Sequence, residues 1–145
     1  MTMREILFRG KQIDNGEWFF GWYEPPVEWD GHKFGTTIAY ICEEGYLDDA
    51  EVDPATVGQF TGLTDKNGKK IFEGDILVCR QEINGNWIDC CVEIGFVEMK
   101  HGAFGLHRKQ GYYRPFKDWL EDYEYEIIGN IHDNPELLGE CSCGK

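Results

Sequence analysis

The amino-acid sequence predicts an all-β protein, because short apolar runs alternate with tight turns and no amphipathic helix of ordinary length is visible. The 145 residues include five Trp, seven Tyr and nine Phe, residue types that favour strands because they pack well on a pleated surface. Eighteen glycines suit the turns between the runs. A chain of this length forms one domain, or one domain with a substantial extension.

The first fifty residues predict an N-terminal subdomain of strands that packs on the rest of the chain. Two strand-like runs at 6–10 and 17–23 flank a reversal at 14–16, and a third run follows at 34–42. The stretch 43–53 is acidic and rich in turn residues. We therefore expect a linker there and place the boundary at residue 50.

The segment 57–72 predicts a β-hairpin with a two-residue loop at Asn67-Gly68. This loop would set three opposite pairs, which are Lys66 with Lys69, Asp65 with Lys70, and Leu63 with Phe72. An exposed ion pair contributes less to stability than a buried apolar pair does, so we expect the apolar pair Leu63–Phe72 to stabilise the hairpin more than the ion pair Asp65–Lys70.

The stretch from 57 to 131 predicts five or six short strands, a number typical of a small SH3-like barrel. Glu93 and Glu98 are an odd number of residues apart, so a bulge near Gly95 is expected if both carboxylates face solvent. One short C-terminal helical turn is predicted at 134–138, because Asn and Pro open it. The predicted parts are an N-terminal β subdomain, an SH3-like barrel and a flexible tail, with limits 1–50, 51–140 and 141–145.

The charge and the absence of apolar segments narrow the setting of the protein. A formal net charge of -13 disfavours nonspecific attraction to nucleic acid or to an anionic membrane, and is consistent with plain solubility or with a basic partner. No signal-peptide core is visible, and no stretch approaches the ~20 apolar residues that span a bilayer. We expect a cytoplasmic protein without membrane contact, whose cysteines are reduced and whose Cys42 and Cys79 fill the core.

Reactive side chains do not occur at the spacings that metal sites or catalysis require. Cys90 and Cys91 would point to opposite faces of a strand, and Cys141 with Cys143 makes only half of a zinc site, so no metal and no cofactor are predicted. No phosphate-binding glycine loop is present, and the one serine lies in the tail. The conceivable catalytic groups are the Glu73 and Asp75 carboxylates, or a Cys–His pair drawn from Cys79, Cys91, His101 and His107.

One segment departs from the acidic character of the chain. Residues 100–117 hold five cations and no acid, with aromatic residues between them, which is typical of surfaces that bind single-stranded nucleic acid. An acidic run at 118–126 follows directly, so the alternative is a surface whose charges pair within the molecule or across a subunit interface. The candidate ligand-binding residues are Lys100, Arg108, Lys109, Tyr112, Tyr113, Arg114 and Lys117.

Three blocks resemble those of a known family. VGQFTGLTDKNGKKIFEGDIL (57–77) resembles the signature block of the YopX family, and ILFRGKQIDNGEWFFGWY (6–23) and EIIGNIHDNPELL (126–138) resemble its N-terminal and C-terminal blocks. The resemblance implies a small, mostly β protein with an SH3-like barrel, encoded by a bacterial virus or a prophage, and it supplies no catalytic or binding residue. The signature residues are interpreted as turn and core positions, namely Gly58, Phe60, Gly62, Asn67, Gly68, Phe72, Gly74 and Asp75.

Together these features predict a non-enzymatic β module, derived from a phage or prophage, that acts by protein–protein contact in the cytoplasm of the bacterial host. The partner is a host or phage protein of unknown identity, and a homo-oligomer is expected because strand edges and aromatic residues favour self-association. The first alternative is nucleic-acid binding through 100–117. The second alternative is an uncharacterised enzyme that uses carboxylates or a Cys–His pair.

Overall fold

The computed structural model describes residues 5–83, 86–108, 113–116 and 123–139, with the backbone alone for 81–83, 87–92 and 123. The chain divides into two compact units, Met1–Phe60 and Thr61–Lys145. Strands dominate both units, which confirms the prediction of a mainly β protein with one short helix. The division into a subdomain at 1–50 that packs on a barrel at 51–140, followed by a tail at 141–145, stays a prediction.

The N-terminal unit is built from antiparallel strands in the sheet order β6-β5-β2-β1-β7, with β3 and β4 as a separate two-stranded ribbon. A 3-10 turn, Pro54–Thr56, leads into β7. The strands are β1 (Phe8–Lys11), β2 (Trp18–Glu24), β3 (Val27–Trp29), β4 (His32–Phe34), β5 (Thr37–Ile41), β6 (Leu47–Glu51) and β7 (Gly58–Thr64).

Two elements of this unit differ from the sequence prediction. The acidic stretch predicted to be a linker contains β6, because Ala50 and Val52 turn inward, where they are 5% and 1% exposed, while acids occupy exposed positions. The ribbon of β3 and β4 was not predicted. Its turn consists of Asp30 and Gly31, whose φ values of 52° and 77° are typical of the two-residue loop of a tight β-hairpin.

The C-terminal unit begins with the end of β7, which forms a hairpin with the next strand, and continues as a five-stranded antiparallel sheet of order β12-β11-β10-β9-β13. Among the described residues none of the sheets closes on itself. The elements are β8 (Lys70–Phe72), β9 (Asp75–Ile83), β10 (Asn86–Lys100), β11 (Ala103–Arg108), β12 (Tyr113–Pro115), β13 (Tyr123–Asn130) and the helix α1 (Glu136–Gly139).

A buried apolar cluster holds the C-terminal unit together. Leu63, Phe104 and Ile127 pack against its edges while partly exposed. Burying large side chains of this kind stabilises a fold by about 1.5–3 kcal/mol each. The buried members are Ile71, Leu77, Cys79, Val97, Leu106, Phe116 and Tyr125.

The hairpin register differs by one residue from the predicted register. Asp65 N–H donates to Lys69 O (2.8 Å) and Gly68 N–H donates to Asp65 O (3.0 Å), so residues 66–68 form the loop and Asp65 lies opposite Lys69. Gly68 has φ +83°, as the last position of such a three-residue loop requires. The predicted two-residue loop, with Lys66 opposite Lys69 and Asp65 opposite Lys70, is therefore wrong.

The Asp65 side chain explains this register. It is only 6% exposed, and its Oδ1 accepts the Asn67 N–H (2.9 Å) and the Lys69 N–H (3.0 Å). Its Oδ2 accepts the Ile127 N–H of β13 (3.1 Å). Burial raises the pKa of this carboxyl. The hydrogen bonds from the amides of Ile127, Lys69 and Asn67, together with the Lys69 charge, lower the pKa by more than burial raises it, so the net shift is downward.

A second buried carboxylate secures the next turn. Asp75 is 2% exposed and its Oδ2 accepts the Phe72 N–H (2.8 Å). The neighbouring Gly74 donates its N–H to Val97 O (2.9 Å) and accepts the Ile131 N–H (2.8 Å). The turn between β8 and β9 is thereby bonded to β10 and to the residue after β13.

The bulge expected near Gly95 is also absent among the described pairs, because the register with β9 runs without a break from Glu93 to Phe96. The register shifts lie elsewhere, between Ile88 and Glu93 and between Ile127 and Gly129. Glu93 lies opposite the buried Cys79 and therefore shares its core-facing side of the sheet. A carboxylate can occupy that position because an arginine meets it there, as described below.

Replacing Asp65 tests the turn carboxylate. We expect Asp65→Asn to lower the free energy of unfolding by about 2 kcal/mol at neutral pH, because a neutral amide is a weaker acceptor and brings N–H donors toward backbone amides. The folded pKa is lowered, so the carboxylate contribution is complete above about pH 4 and is lost as the pH falls through the folded pKa. Urea denaturation at a series of pH values from 7 to 2 should show the two proteins converging in acid.

The matched control is Asp53→Asn. Asp53 is exposed and its Oδ1 accepts the Ala55 N–H (3.0 Å) at the start of the 3-10 turn, a position that Asn suits as well as Asp does. We expect this change to alter the unfolding free energy by less than about 0.5 kcal/mol. Equal losses in the two variants would contradict the role assigned to Asp65.

A glycine on β2 gives a second test. A Cβ on Gly21 would collide with the Ala39 carbonyl, which is backbone and cannot swing aside, so Gly21→Ala should destabilise the protein by about 3 kcal/mol. A Cβ on Gly35 would meet only the end of the flexible Glu51 side chain (2.5 Å), so Gly35→Ala should cost less than about 1 kcal/mol. Thermal denaturation of both variants measures the difference, and a Gly21→Ala variant as stable as Gly35→Ala would refute the close approach of β2 and β5.

Candidate functional site

The predicted ligand-binding segment lies partly on β10, β11 and β12. Lys100 is the last residue of β10, Arg108 is the last residue of β11, and Tyr113 and Arg114 begin β12. The other three predicted residues lie outside the described residues, namely Lys109, Tyr112 and Lys117.

The charge of Arg108 is paired within the protein. Its Nη1 lies 2.5 Å from Glu93 Oε2, and its side chain is 15% exposed. The pair lies near Cys79, whose pKa is raised to about 12 by burial first and by the Glu93 charge second, with Arg108 and Arg114 acting in the opposite direction. Arg108 therefore neutralises a carboxylate that is itself partly buried, at 34% exposure, and the thiol of Cys79 is protonated at neutral pH.

Tyr113 is engaged by the sheet as well. A Cβ on Gly105 would lie 2.8 Å from atoms of the Tyr113 ring, so the ring covers that glycine. Its hydroxyl donates to Ala103 O (2.5 Å), and Lys100 Nζ lies 5.9 Å from the ring centroid. Burial, and then the charge of Glu98, raise the pKa of Tyr113. A ring held in this way is less available as a platform for a stacked base.

The neighbouring row of side chains is also occupied. Phe96 and His107 stand opposite each other on β10 and β11, and their rings stack with centroids 4.9 Å apart and planes 12° apart. His107 Nδ1 lies 2.9 Å from Glu98 Oε1. The described part of the basic segment thus directs its aromatic and charged groups largely to its own sheet.

Most signature residues lie at turns or in the core, but Gly62, which was predicted to be a turn position, is an exposed residue inside β7. Phe60 and Phe72 are 5% and 3% exposed. Gly74 lies in the turn between β8 and β9 with φ +91°, and Gly62 has the same φ but lies inside β7. Gly58 opens β7 directly after the 3-10 turn, opposite Arg9 of β1. Asn67 and Gly68 form the hairpin loop that Asp65 caps, and Asp75 caps the next turn.

The N-terminal sheet presents a different kind of surface. We call the side chains of Phe20, Trp22, Ile41 and Leu47 the apolar face; they are 48%, 52%, 56% and 63% exposed. They share one side of the sheet, because Trp22 lies opposite Ala39, Ile41 lies opposite Leu47, and residues two apart on a strand point the same way. Phe20 lies two residues before Trp22 on β2 and opposite Arg9 of β1, so it shares this side of the sheet.

Acidic residues border the apolar face at the far end of the same strands. Asp49 lies opposite Ala39, and Glu24 and Glu51 lie opposite Thr37 from either side. At the other border, the Arg9 guanidinium covers the Trp18 ring at 4.7 Å from its centroid. The surface therefore changes from apolar to acidic along β2, β5 and β6.

A cleft of about 450 Å³ opens at this acidic end, between the sheet and the β3–β4 ribbon. Val27 and Phe34, which are opposite each other on the ribbon, form one wall. Glu24 Oε1 accepts the Thr37 hydroxyl at 2.6 Å. The lining residues are Tyr23, Glu24, Pro25, Val27, Phe34, Gly35, Thr37 and Asp49.

Sequence reasoning missed this surface for a physical reason. The strand WFFGWYE is aromatic in both phases of its alternation, so the pattern does not reveal which side faces solvent. The ribbon could have been found from Asp30-Gly31, a favoured hairpin turn placed between Val27–Trp29 and His32–Phe34.

The described residues bear on metal binding and on membrane crossing. Within them no group of three or more His, Cys, Asp and Glu side chains is placed to hold a metal ion. Cys42 and Cys79 are free thiols, and Cys79 is buried. In the part of the chain that the structure describes, no helix has the length and apolar composition needed to cross a bilayer.

Comparisons with known proteins bear on the family. The family model described as YopX protein matches residues 7–139. No curated protein matches the chain. Among solved structures, the crystal structure of protein EF1440 from Enterococcus faecalis is similar, at 23% identity over 94% of this chain and 99% of that chain, with a TM-score of 0.48. The family match extends over most of the sequence and confirms the resemblance of the three blocks, so the chain belongs to the YopX family.

Proposed function

We propose that this YopX-family protein is a non-enzymatic interaction module that docks onto a basic protein through the apolar face. The observation that carries the proposal is the exposure of four large apolar side chains on neighbouring strands. Contiguous apolar patches of this kind mark sites of protein interaction. The partner is a host or phage protein, in keeping with the phage or prophage origin and the bacterial cytoplasm predicted from the sequence.

The energetics indicate an interface larger than the apolar face alone. Burying the exposed half of four large side chains contributes about 4 kcal/mol in total. Association costs at least about 4 kcal/mol in lost translational and rotational freedom. Burial of the apolar face would therefore only offset the free-energy cost of association, and stable binding requires contacts at its acidic border as well.

Charge determines which partner suits that border. The first 60 residues contain twelve acids and four Lys or Arg, a net charge of -8 out of the total of -13. A basic partner is attracted by this charge, and two copies of the N-terminal unit repel each other. Self-association, predicted from the sequence, remains part of the proposal only as a contact between other surfaces, and mass measurement in solution decides it.

The finer architecture is also proposed. We infer that 51–140 forms a variant of the SH3-like barrel and that 1–50 is its hairpin extension. The support is the pair of long strands β9 and β10 and the register shift between Ile127 and Gly129, because bulges bend sheets toward closure.

Two alternatives stay open as predictions. Nucleic-acid binding through 100–117 draws on five cations, of which Arg108 is paired with Glu93. An enzyme built on Cys79 would need a thiolate, which the raised pKa of that thiol disfavours. Both observations favour the interaction module.

Substitutions on the apolar face test the proposal. A partner is captured by crosslinking in host lysate, identified, purified and titrated against the full chain by calorimetry. We expect Trp22→Ser combined with Ile41→Ser to raise the Kd at least about tenfold, because truncated apolar contacts each lose about 1 kcal/mol or more. The control is Ile13→Ser, since Ile13 is 62% exposed but lies at the β1–β2 reversal. Equal affinity of the double variant and the control would refute docking through the apolar face.

Oligonucleotide binding separates the first alternative. We expect no binding of a 20-nucleotide single strand with a Kd below about 100 µM at physiological salt, where nonspecific binders reach about 1–100 µM. Fluorescence anisotropy measures it. Binding in that range that falls steeply with salt, and that is abolished by Lys100→Glu with Lys109→Glu, would replace the proposed function with nucleic-acid binding.

A further inference from the structure

We infer that the cleft beside the β3–β4 ribbon binds the guanidinium group of an arginine side chain on the partner, an inference that rests on the proposed function and names the chemistry of the contact. The cleft continues the apolar face, because Trp22 and Glu24 lie on the same side of β2. A partner segment that binds the apolar face therefore brings a neighbouring side chain of its own to the cleft.

The walls of the cleft suit a flat cation with an apolar stem. Phe34 is 53% exposed and offers ring surface, while Val27 and Pro25 offer aliphatic surface. Guanidinium groups stack on aromatic rings and are weakly hydrated, so they leave water at a lower cost than an ammonium group does.

The carboxylates of the cleft supply the opposite charge. Glu24 and Asp49 line it, and the carboxylate of Glu51, a neighbour of the lining, lies 2.5 Å from where a Cβ on the lining residue Gly35 would be. The Thr37 hydroxyl uses one acceptor position of Glu24, and a carboxylate offers about four. No Lys or Arg occurs among the residues that line the cleft.

The placement of these carboxylates on two different strands favours arginine over a compact cation. Glu24 is on β2 and Glu51 is on β6, with β5 between them, so their backbones lie about 10 Å apart. A single ammonium group contacts one side of such a gap. A guanidinium group has five N–H donors spread over a plane and reaches acceptors on both sides.

The test is an NMR titration of the full chain with three small probes. They are N-acetyl-arginine amide, N-acetyl-lysine amide and N-acetyl-citrulline amide, which keeps the shape of arginine without its charge. We expect the arginine probe to shift the amide signals of residues 23–24, 34–37 and 49. We expect a Kd at least about fivefold higher for the lysine probe and no shifts from the citrulline probe.

Variants connect the shifts to the cleft. Glu24→Gln and Glu51→Gln should each raise the Kd of the arginine probe about tenfold, a difference of about 1.4 kcal/mol. Glu28→Gln is the control, because Glu28 pairs with Lys33 across the ribbon and so lies on the side of it opposite Val27 and Phe34. Amide spectra of the free variants verify that each one is folded.

The outcomes separate this inference from the proposed function. Equal shifts from the arginine and citrulline probes, equal affinity for lysine, or unchanged binding by both glutamine variants would overturn the arginine site, even if Trp22 and Ile41 still bound a partner. Arginine-specific shifts in the cleft would support it, even if the Trp22 and Ile41 variants failed to change partner binding.

Discussion

The buried carboxylate of Asp65 is the constraint on which the C-terminal unit depends. It accepts three backbone N–H groups, two from its own loop and one from Ile127 on β13, so it fixes the hairpin register and joins the hairpin to a strand far along the chain. The Lys66 N–H reinforces this junction by donating to Tyr125 O at 2.9 Å. Because the charge is desolvated, these hydrogen bonds are stronger than neutral ones, and their loss would leave a buried charge unsatisfied.

The fold was predictable where a short stretch of sequence determines its own local structure. Asn134-Pro135 identified the terminal helix, although the Asn134 side chain accepts the Asn130 N–H (3.2 Å) and does not act as the predicted cap, and Asn67-Gly68 identified the hairpin. The register of that hairpin was not predictable, because it depends on Ile127, which is 62 residues from Asp65. The same holds for Glu93, whose inward position requires Arg108 from the next strand. Long-range polar pairs of this kind leave no local pattern in a sequence.

The two units use their polar and aromatic groups in different ways. In the C-terminal unit, described charged and aromatic side chains have partners within the unit. Arg108 forms an ion pair with Glu93, and the Tyr113 hydroxyl donates to the Ala103 carbonyl. In the N-terminal unit, Trp22 and Phe34 remain half exposed beside carboxylates. The predicted site at 100–117 was chosen for its composition, but composition does not show whether a charge is neutralised internally. The apolar face was missed because exposure is a tertiary property.

The measurement that tests this account most directly is the NMR titration of the Asp65 carboxyl carbon in the folded protein. The account predicts a pKa below the ordinary aspartate value of 3.8, with the amide signals of Asn67, Lys69 and Ile127 changing at the same pH. A pKa at or above that value, or amide signals that do not follow the carboxyl group, would contradict the claim that this carboxylate organises the C-terminal unit.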